Sequence, residues 1–173
     1  MEPEPLSCEI GYAVVTVSDH AAFLETLRAI AVRNNTRIVC FDAEKLAGRR
    51  HAETALRHAH RAFAEGTAIS NSFEMEALLY AAGSRQCSVG VSFGLHDGEN
   101  HLYVCCCPAP EGVWKDLAAH LQFGGEPCEI MSPQKATRLC ALFDVTPDEI
   151  AAVGEDRIAD LVLERVAMLE VNK

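Results

Sequence analysis

Short apolar runs alternate with much longer segments of helical periodicity along this chain, and this alternation limits the fold more than any other feature. The clearest runs are residues 10–17, 36–41 and 102–107, which have strand length and strand-favouring apolar residues. The segments between them are too long for hairpin turns and carry apolar residues at helical spacing. The sequence therefore predicts an α/β (α+β) fold in which helices pack on a small sheet.

The order of the segments indicates how the chain is organised. It is β-α-β-α-α-α-β-α-β-α-α-α, with a weaker strand expected at residues 128–131 and a long amphipathic helix at residues 155–169. No repeat, linker or low-complexity segment divides the chain. We therefore expect a single domain over residues 9–173, with a small mixed sheet of about four strands. Residues 1–8 are acidic and contain proline, which favours a short flexible tail.

The segment that begins at residue 43 predicts the longest helix of the first half. Asp42 is suited to its N-cap and Gly66 to its C-cap, so it is expected to run over residues 43–65. A further helix is expected over residues 113–122. Residues 88–91 are ambiguous, because they fit both a short helix after Ser84 and an alternating strand.

The charge of the chain limits its partners. Its 173 residues have a formal net charge of −10, which argues against tight, non-specific binding of nucleic acid. A local basic patch still works, because its field depends on placement as well as on the sum of charges. No apolar run approaches the ~20 residues that would span a membrane. The acidic start lacks the features of a signal peptide, and we expect a cytoplasmic protein.

The sequence contains 8 cysteines, and their spacing favours buried free thiols. Cys105, Cys106 and Cys107 are consecutive within an apolar run, and no Cys-x-x-Cys pair is present. Free cysteine behaves as a small buried apolar residue in a reducing compartment. We therefore expect neither a disulfide framework nor a metal site.

The motifs of common enzyme classes are absent from the sequence. There is no phosphate-binding loop, no dinucleotide-binding turn and no nucleophile elbow. Two alternatives remain open. One is a small cysteine-dependent enzyme that uses Cys105 or Cys107 with His101 as its base. The other is a metal-binding protein that uses His51 and His58, which share one helix face.

An ordered set of weak motifs provides a further indication from residue 41 onward. A long helix with His58 and Ala59 near its end closes at Gly66, and a run of Ser72, Glu76, Leu78, Leu79 and Tyr80 follows. Then come Gly83-Ser84-Arg85-Gln86, the turn Phe93-Gly94-Leu95 and an amphipathic C-terminal helix. This order resembles the regulatory subunit of the KEOPS complex, the family that includes the animal PRPK-binding protein (TPRKB). Each motif alone is weak, so their order carries the weight.

The resemblance implies a specific role. KEOPS makes threonylcarbamoyladenosine beside the anticodon of tRNAs. Its synthase subunit transfers the group, and its small kinase-like subunit hydrolyses ATP. The regulatory subunit is expected to be non-catalytic, to need no cofactor and no metal, and to bind and stimulate the kinase-like ATPase. It would contact the synthase only indirectly, and in archaeal systems it helps to capture tRNA through the 3′ CCA end. The resemblance also favours a helix at residues 88–91.

Two groups of residues are candidates for binding tRNA. One is the junction between two helices, where free N–H groups and a cation suit a phosphate: Gly83, Ser84, Arg85 and Gln86. Its alternative is an Arg85 that merely pairs with an acid such as Glu76. The other group is a basic helix stripe with a nearby lysine: Arg50, Arg57, Arg61 and Lys45. This stripe is equally consistent with a solvated helix face.

The face that binds the kinase-like subunit should be apolar and exposed in the isolated chain. The C-terminal helix has a wider apolar arc than a simple surface helix needs, and a second apolar pair lies in the helix before residue 83. The candidates are Leu78, Leu79, Leu163 and Ala167. Core packing is the competing explanation for each of them.

Overall fold

A computed structural model describes residues 5–128 and 130–172 of the chain. Its strands are β1 (Glu9–Val17), β2 (Arg37–Asp42), β3 (Gly98–Cys107) and the short β4 (Gln122–Phe123). They form a 4-stranded sheet in the order β2-β3-β1-β4. The α/β class and the long C-terminal helix are thus confirmed. The sheet was expected to be mixed, but all its pairings are antiparallel.

Strand β3 lies in the centre and carries most of the pairing. Its long register with β1 runs from Glu9 opposite Cys106 to Val17 opposite Gly98. On its other side it pairs with β2, from Arg37 opposite Cys107 to Asp42 opposite Leu102. Since β1 and β2 are both antiparallel to β3, they run in the same direction with β3 between them. Strand β4 covers β1 only at Ala13 and Val14, so the start of β1 is an open sheet edge.

Eight α-helices are present within the described residues, with short 3-10 turns at Ala43–Lys45 and Glu155–Arg157. They are α1 (His20–Arg33), α2 (Arg49–Glu65), α3 (Phe73–Ala82), α4 (Cys87–Val91), α5 (Glu111–Ala118), α6 (Pro133–Leu142), α7 (Pro147–Val153) and α8 (Ile158–Val171).

The sheet separates two layers of helices because successive strand residues point to opposite faces. Phe41, Tyr103 and Cys105 face a core shared with helices α2, α3, α6 and α8. Cys40 and Val104 face the opposite core, which helices α1 and α5 cover. The consecutive cysteines of β3 therefore alternate between the two cores.

Several boundaries differ from the sequence-based expectations. The helix expected over residues 43–65 begins only at Arg49, because Gly48 adopts a φ of 87°, which a helix cannot contain. The helix expected over residues 113–122 ends at Ala118, and Gln122 belongs to β4. Residues 88–91 are helical in α4, as the resemblance favoured. In the segment expected to form a strand at 128–131, Glu129 lies outside the described residues, and residues 128, 130 and 131 are not in a strand.

The expectation that all cysteines are free is wrong for one pair. Cys8 and Cys107 form a disulfide, with their Cα atoms 4.3 Å apart. Extending the register of β1 and β3 by one residue beyond the Glu9–Cys106 pair places these residues directly opposite each other. A Cα spacing near 4.5 Å is typical of a non-hydrogen-bonded antiparallel pair, and it suits a disulfide. Residues 1–4 of the expected flexible tail lie outside the described part of the chain, whereas Cys8 is tied to the sheet.

Candidate functional site

A groove of about 950 Å³ opens at the uncovered edge of β1. Helix α2 forms one wall, residues 5–8 and the start of β1 form a second, and Trp114 with Phe123 forms the third. Tyr12 O accepts a hydrogen bond from Gly124 N on the β4 side, and Ile10 O accepts one from the Arg49 guanidinium. Alternate residues of a strand direct their backbone groups to the same edge, so this edge of β1 faces the groove.

Helix α2 gives the groove a basic wall. Arg49 has a structural role, because its Nη2 donates a hydrogen bond to Glu126 Oε2 at 2.7 Å. This hydrogen bond also raises the pKa of the guanidinium. Arg57 and Arg61 line the groove and are exposed, and neither takes part in the ion pairs found between described residues. Their charges therefore remain directed toward solvent and the groove. Glu9 and Glu53 also line the groove, so its field is mixed.

An aromatic wall lies opposite α2. The rings of Trp114 and Phe123 meet edge to face, with centroids 5.5 Å apart and an interplanar angle of 83°. The indole Nε1–H of Trp114 donates to Glu9 Oε2 at 2.7 Å, which fixes the orientation of the ring. Gly11 lies beneath both rings, where a Cβ would approach them to within 3.1–3.2 Å. A residue with a side chain at this position would displace the wall.

The other members of the predicted basic stripe lie elsewhere. Arg50 Nη1 is 3.4 Å from Asp160 Oδ1 at the start of α8. Lys45 Nζ donates to Ser92 O at 2.6 Å and lies 5.6 Å from the centre of the Phe93 ring. The structure therefore brings Arg57 and Arg61 together in the groove and separates Arg50 and Lys45 from them.

The junction between α3 and α4 is a separate place. Gly83 closes α3 with a left-handed φ of 61°, and Ser84 Oγ accepts from Gln86 N at 3.1 Å. Gln86 is the N-cap residue of α4, which has only 5 residues. Arg85 is exposed, and its Nη1 donates to Asn172 O at 3.3 Å. Arg85 thus lies beside the end of α8 and not in the groove.

The proposed alternative for Arg85, a pair with Glu76, does not occur. Glu76 is fully buried, and its carboxylate accepts hydrogen bonds from Ile69 N at 3.1 Å and Ser70 N at 2.8 Å. It holds the loop between α2 and α3 in place. The glutamate of the family-like run therefore has a structural role.

A polar cluster at the meeting of α2, α3 and α8 was not anticipated from the sequence. The Tyr80 hydroxyl donates to Glu170 Oε2, and the His58 ring stacks on Tyr80 with centroids 5.0 Å apart. Burial, followed by the bond to Glu170, raises the pKa of Tyr80. This cluster fixes the last turns of α8 against the body of the domain. His58 and Tyr80 were visible as motif residues, but their partner Glu170 had no signal in the sequence.

The apolar kinase-contact candidates divide between core and surface. Leu79 and Leu163 are buried, so core packing, the competing explanation, accounts for both and neither is exposed for a kinase contact. Leu78 is half-buried, and Ala167 is exposed. Helix α3 is apolar nearly all round, which is why periodicity could not separate Leu78 from Leu79.

Two larger apolar residues near Ala167 were missed. Met168 is 43% exposed and Val171 is 74% exposed, both on the last turns of α8. At spacings of three and four residues, the side chains of Ala167, Met168 and Val171 are neighbours on the helix. The end of α8 therefore presents a small apolar surface, bordered by Arg85.

The cysteine-dependent enzyme is not supported by the arrangement of its residues. Cys107 is consumed in the disulfide, and burial raises the pKa of Cys105 well above its usual range, which disfavours the thiolate. His101 bonds Tyr12 and Glu99 instead. Four residues along a strand correspond to about 13 Å, so His101 is too far from Cys105 to act as its base.

The metal site at His51 and His58 is not supported either. His51 Nδ1 accepts from Ala47 N at 2.9 Å, and His51 Nε2–H donates to Ala81 O at 2.8 Å. Both ring nitrogens are therefore engaged by the backbone. No group of three or more potential ligands comes together among the residues whose positions are described.

Comparison with known proteins agrees with the resemblance seen in the sequence. A family model described as kinase binding protein CGI-121 matches residues 15–170, which is most of the chain. A search of curated proteins finds no match. Among residues 5–128 and 130–172, no helix combines the length and apolar character needed to cross a membrane. The match takes in the last residues of β1, strands β2 to β4, all of α2 and α8 up to Glu170. The chain therefore belongs to the CGI-121 family of kinase-binding proteins, the family of the KEOPS regulatory subunit.

Proposed function

We propose that this chain is a non-catalytic, cytoplasmic subunit of KEOPS that binds and stimulates the kinase-like ATPase subunit. In this role it also recruits tRNA through the 3′ CCA end, and it contacts the synthase subunit only through the complex. The observation that carries the proposal is the match to a kinase-binding family over residues 15–170. The geometry supplies a candidate surface for the kinase-like subunit and two candidate positions for tRNA.

The apolar end of α8 is the candidate contact for the kinase-like subunit. Ala167, Met168 and Val171 are exposed together, and burying such residues is the main favourable term in protein association. The Tyr80–Glu170 bond and the stacked His58 hold this turn rigid. A rigid surface loses little conformational entropy when a partner covers it.

The groove is the candidate contact for the single-stranded end of tRNA. Proteins hold unpaired nucleotides by combining cations for the phosphates with aromatic rings on which bases stack. Arg57 and Arg61 supply the cations, while Trp114 and Phe123 supply the rings. A net charge of −10 means that RNA binding must rest on this local arrangement and will be weak at high salt.

Arg85 offers a second position for an RNA phosphate, at the exposed junction with Ser84 and Gln86. Its side chain also borders the apolar end of α8. Replacing Arg85 by alanine therefore tests whether it contacts tRNA or the kinase-like subunit. A selective loss of tRNA affinity would place RNA at this junction. A selective loss of kinase binding would make Arg85 part of the protein interface instead.

The kinase contact is tested with a matched pair of valine variants. Val171→Asp places a charge on the end of α8, whereas Val32→Asp does the same at the 81% exposed Val32 on α1. With the purified kinase-like subunit from the same source, we expect Val171→Asp to weaken binding by about tenfold or more and Val32→Asp to leave it unchanged. Equal affinity of both variants and the unaltered chain would reject the α8 contact.

The RNA contact is tested by titrating tRNA with an intact or a removed CCA end. The double variant Arg57→Ala/Arg61→Ala should lose most of the affinity for intact tRNA and reduce the slope of affinity against salt by about one to two charges. Arg28→Ala on α1 is the matched control, since Arg28 is an exposed arginine paired with Glu25. If the double variant binds tRNA as the control does, the groove is not the RNA site.

A further inference from the structure

The Cys8–Cys107 disulfide lies where it determines the shape of the groove. Pairing of β1 with β3 begins at Glu9 and Cys106, so Cys8 is the first residue beyond the strand ladder. Pro5, Leu6 and Cys8 form one wall of the groove, facing the basic side of α2. The disulfide therefore ties this wall covalently to the end of the central strand.

Little else of comparable strength holds the wall. Leu6 and Cys8 pack against the larger core as partly buried residues. Between described residues, no backbone hydrogen bond outside the helices and strands involves residues 5–8. Contacts of this kind permit local opening without unfolding of the sheet. Breaking the disulfide would thus release the wall and loosen the Glu9 end of β1, while the rest of the strand stays paired.

The two residues of the disulfide differ in their access to solvent. Cys107 is only 2% exposed, while Cys8 is half-buried and lines the groove. A reductant that enters the groove therefore meets Cys8 Sγ first. The remaining cysteines of β3, Cys105 and Cys106, are buried and do not compete at this position.

We propose that the Cys8–Cys107 disulfide is a reversible redox latch that sets the groove wall, and that its reduction by a dithiol loosens the groove. The effect of the disulfide on the wall follows from the geometry alone, whereas an effect on RNA binding rests on the proposed function. The oxidised form presents a preformed groove. The reduced form must order residues 5–8 each time a ligand binds, which lowers affinity.

The exchange is balanced in atoms and electrons. A thiolate of the dithiol attacks Cys8 Sγ, the S–S bond breaks, and Cys107 leaves as a thiolate that takes up a proton. The second thiol of the reagent then attacks the mixed disulfide, releases Cys8 as a thiol, and leaves the reagent as a disulfide. Two electrons pass from the dithiol to the protein. A disulfide of the glutathione class accepts them in the reverse direction.

Hydrogen exchange tests the latch independently of any ligand. The oxidised chain is compared with the chain reduced by dithiothreitol and with Cys8→Ser, and alkylation under denaturing conditions followed by mass measurement verifies each redox state. We expect the amide of Glu9, the ladder residue next to the disulfide, to exchange about tenfold or more faster in both open forms, while amides of α8 keep their rates. Cys128→Ser is the matched control, because Cys128 is an exposed free cysteine. Unchanged exchange at Glu9 in both open forms would overturn the latch.

Titration of the same forms with tRNA separates this inference from the proposed function. If the disulfide form binds about threefold or more tightly than the reduced form and Cys8→Ser, the latch regulates the groove. If Arg57→Ala/Arg61→Ala lowers affinity but the redox state does not, the regulatory claim is wrong and the RNA site stands. If neither change matters, the RNA site fails, and hydrogen exchange alone decides whether the latch exists.

Discussion

The buried His51 makes the stability of this protein depend on pH in a way that the structure quantifies. Its Nδ1 accepts the Ala47 N–H and its Nε2–H donates to Ala81 O, so the ring is neutral with the proton on Nε2. A second proton on Nδ1 would point at an N–H group. Burial lowers the pKa of His51 from 6.5 to about 4.

The sign and size of the effect follow from that difference. Between pH 4 and 6.5 the unfolded chain binds this proton and the folded chain does not, so stability rises with pH through that window and is fully present above it. Each pKa unit corresponds to about 1.4 kcal/mol, which gives a total near 3 kcal/mol. On going from pH 7 to pH 5, the free energy of unfolding should fall by about 2 kcal/mol because of His51.

The assay is urea unfolding followed by the fluorescence of Trp114, the single tryptophan of the sequence. His51→Gln retains a donor and an acceptor but cannot titrate, so it should lose most of this pH dependence while being less stable at pH 7. His120→Gln, at an exposed position, is the matched control and should behave as the unaltered chain. An equal fall in stability for the unaltered chain and His51→Gln between pH 7 and pH 5 would refute the reasoning.

Three further predictions concern the core and the thiols. Glu76→Ala removes a buried carboxylate that accepts two N–H bonds and should cost about 3 kcal/mol or more in urea unfolding, against almost nothing for exposed Glu65→Ala. Gly83→Ala places a Cβ at a positive φ and 3.3 Å from the backbone oxygen of Arg165, so thermal unfolding should show a free energy of unfolding lower by about 1–2 kcal/mol. In the native protein, iodoacetamide should modify exposed Cys87 well before buried Cys105 and Cys106, and equal rates for the three would contradict their burial.

Strands and helices that show a local pattern of apolar residues were predictable from the sequence. Strand β2 and the core of β3 were found because Phe41, Tyr103 and their neighbours are apolar over strand length. Helix α2 was found with its C-cap, but its start was misplaced by six residues, from Ala43 to Arg49. The missed signal was Gly48 itself, whose positive φ interrupts the helix.

Features that depend on distant pairing were not predictable. The Cys8–Cys107 disulfide requires the register of β1 and β3, and the two residues are separated by 99 positions. The same register determines that the sheet is antiparallel. For the candidate sites, Arg57 and Arg61 were identified as one stripe, but their aromatic counterpart Trp114 comes from another element and had no local signal. The burial of Leu79 and Leu163 likewise depends on how α3 and α8 pack against the rest of the domain, which the sequence pattern does not give.

The central position of β3 also governs when this protein can fold during its synthesis. Both β1 and β2 pair only with strands that follow Asp42 by more than fifty residues, since β3 begins at Gly98 and β4 at Gln122. A nascent chain that ends before residue 98 therefore exposes two apolar strands without partners, which is the kind of edge that invites aggregation. The ribosome must deliver β3 before the first forty residues can become a sheet, so the N-terminal half depends on shielding, by its own helices or by a chaperone, until that strand emerges.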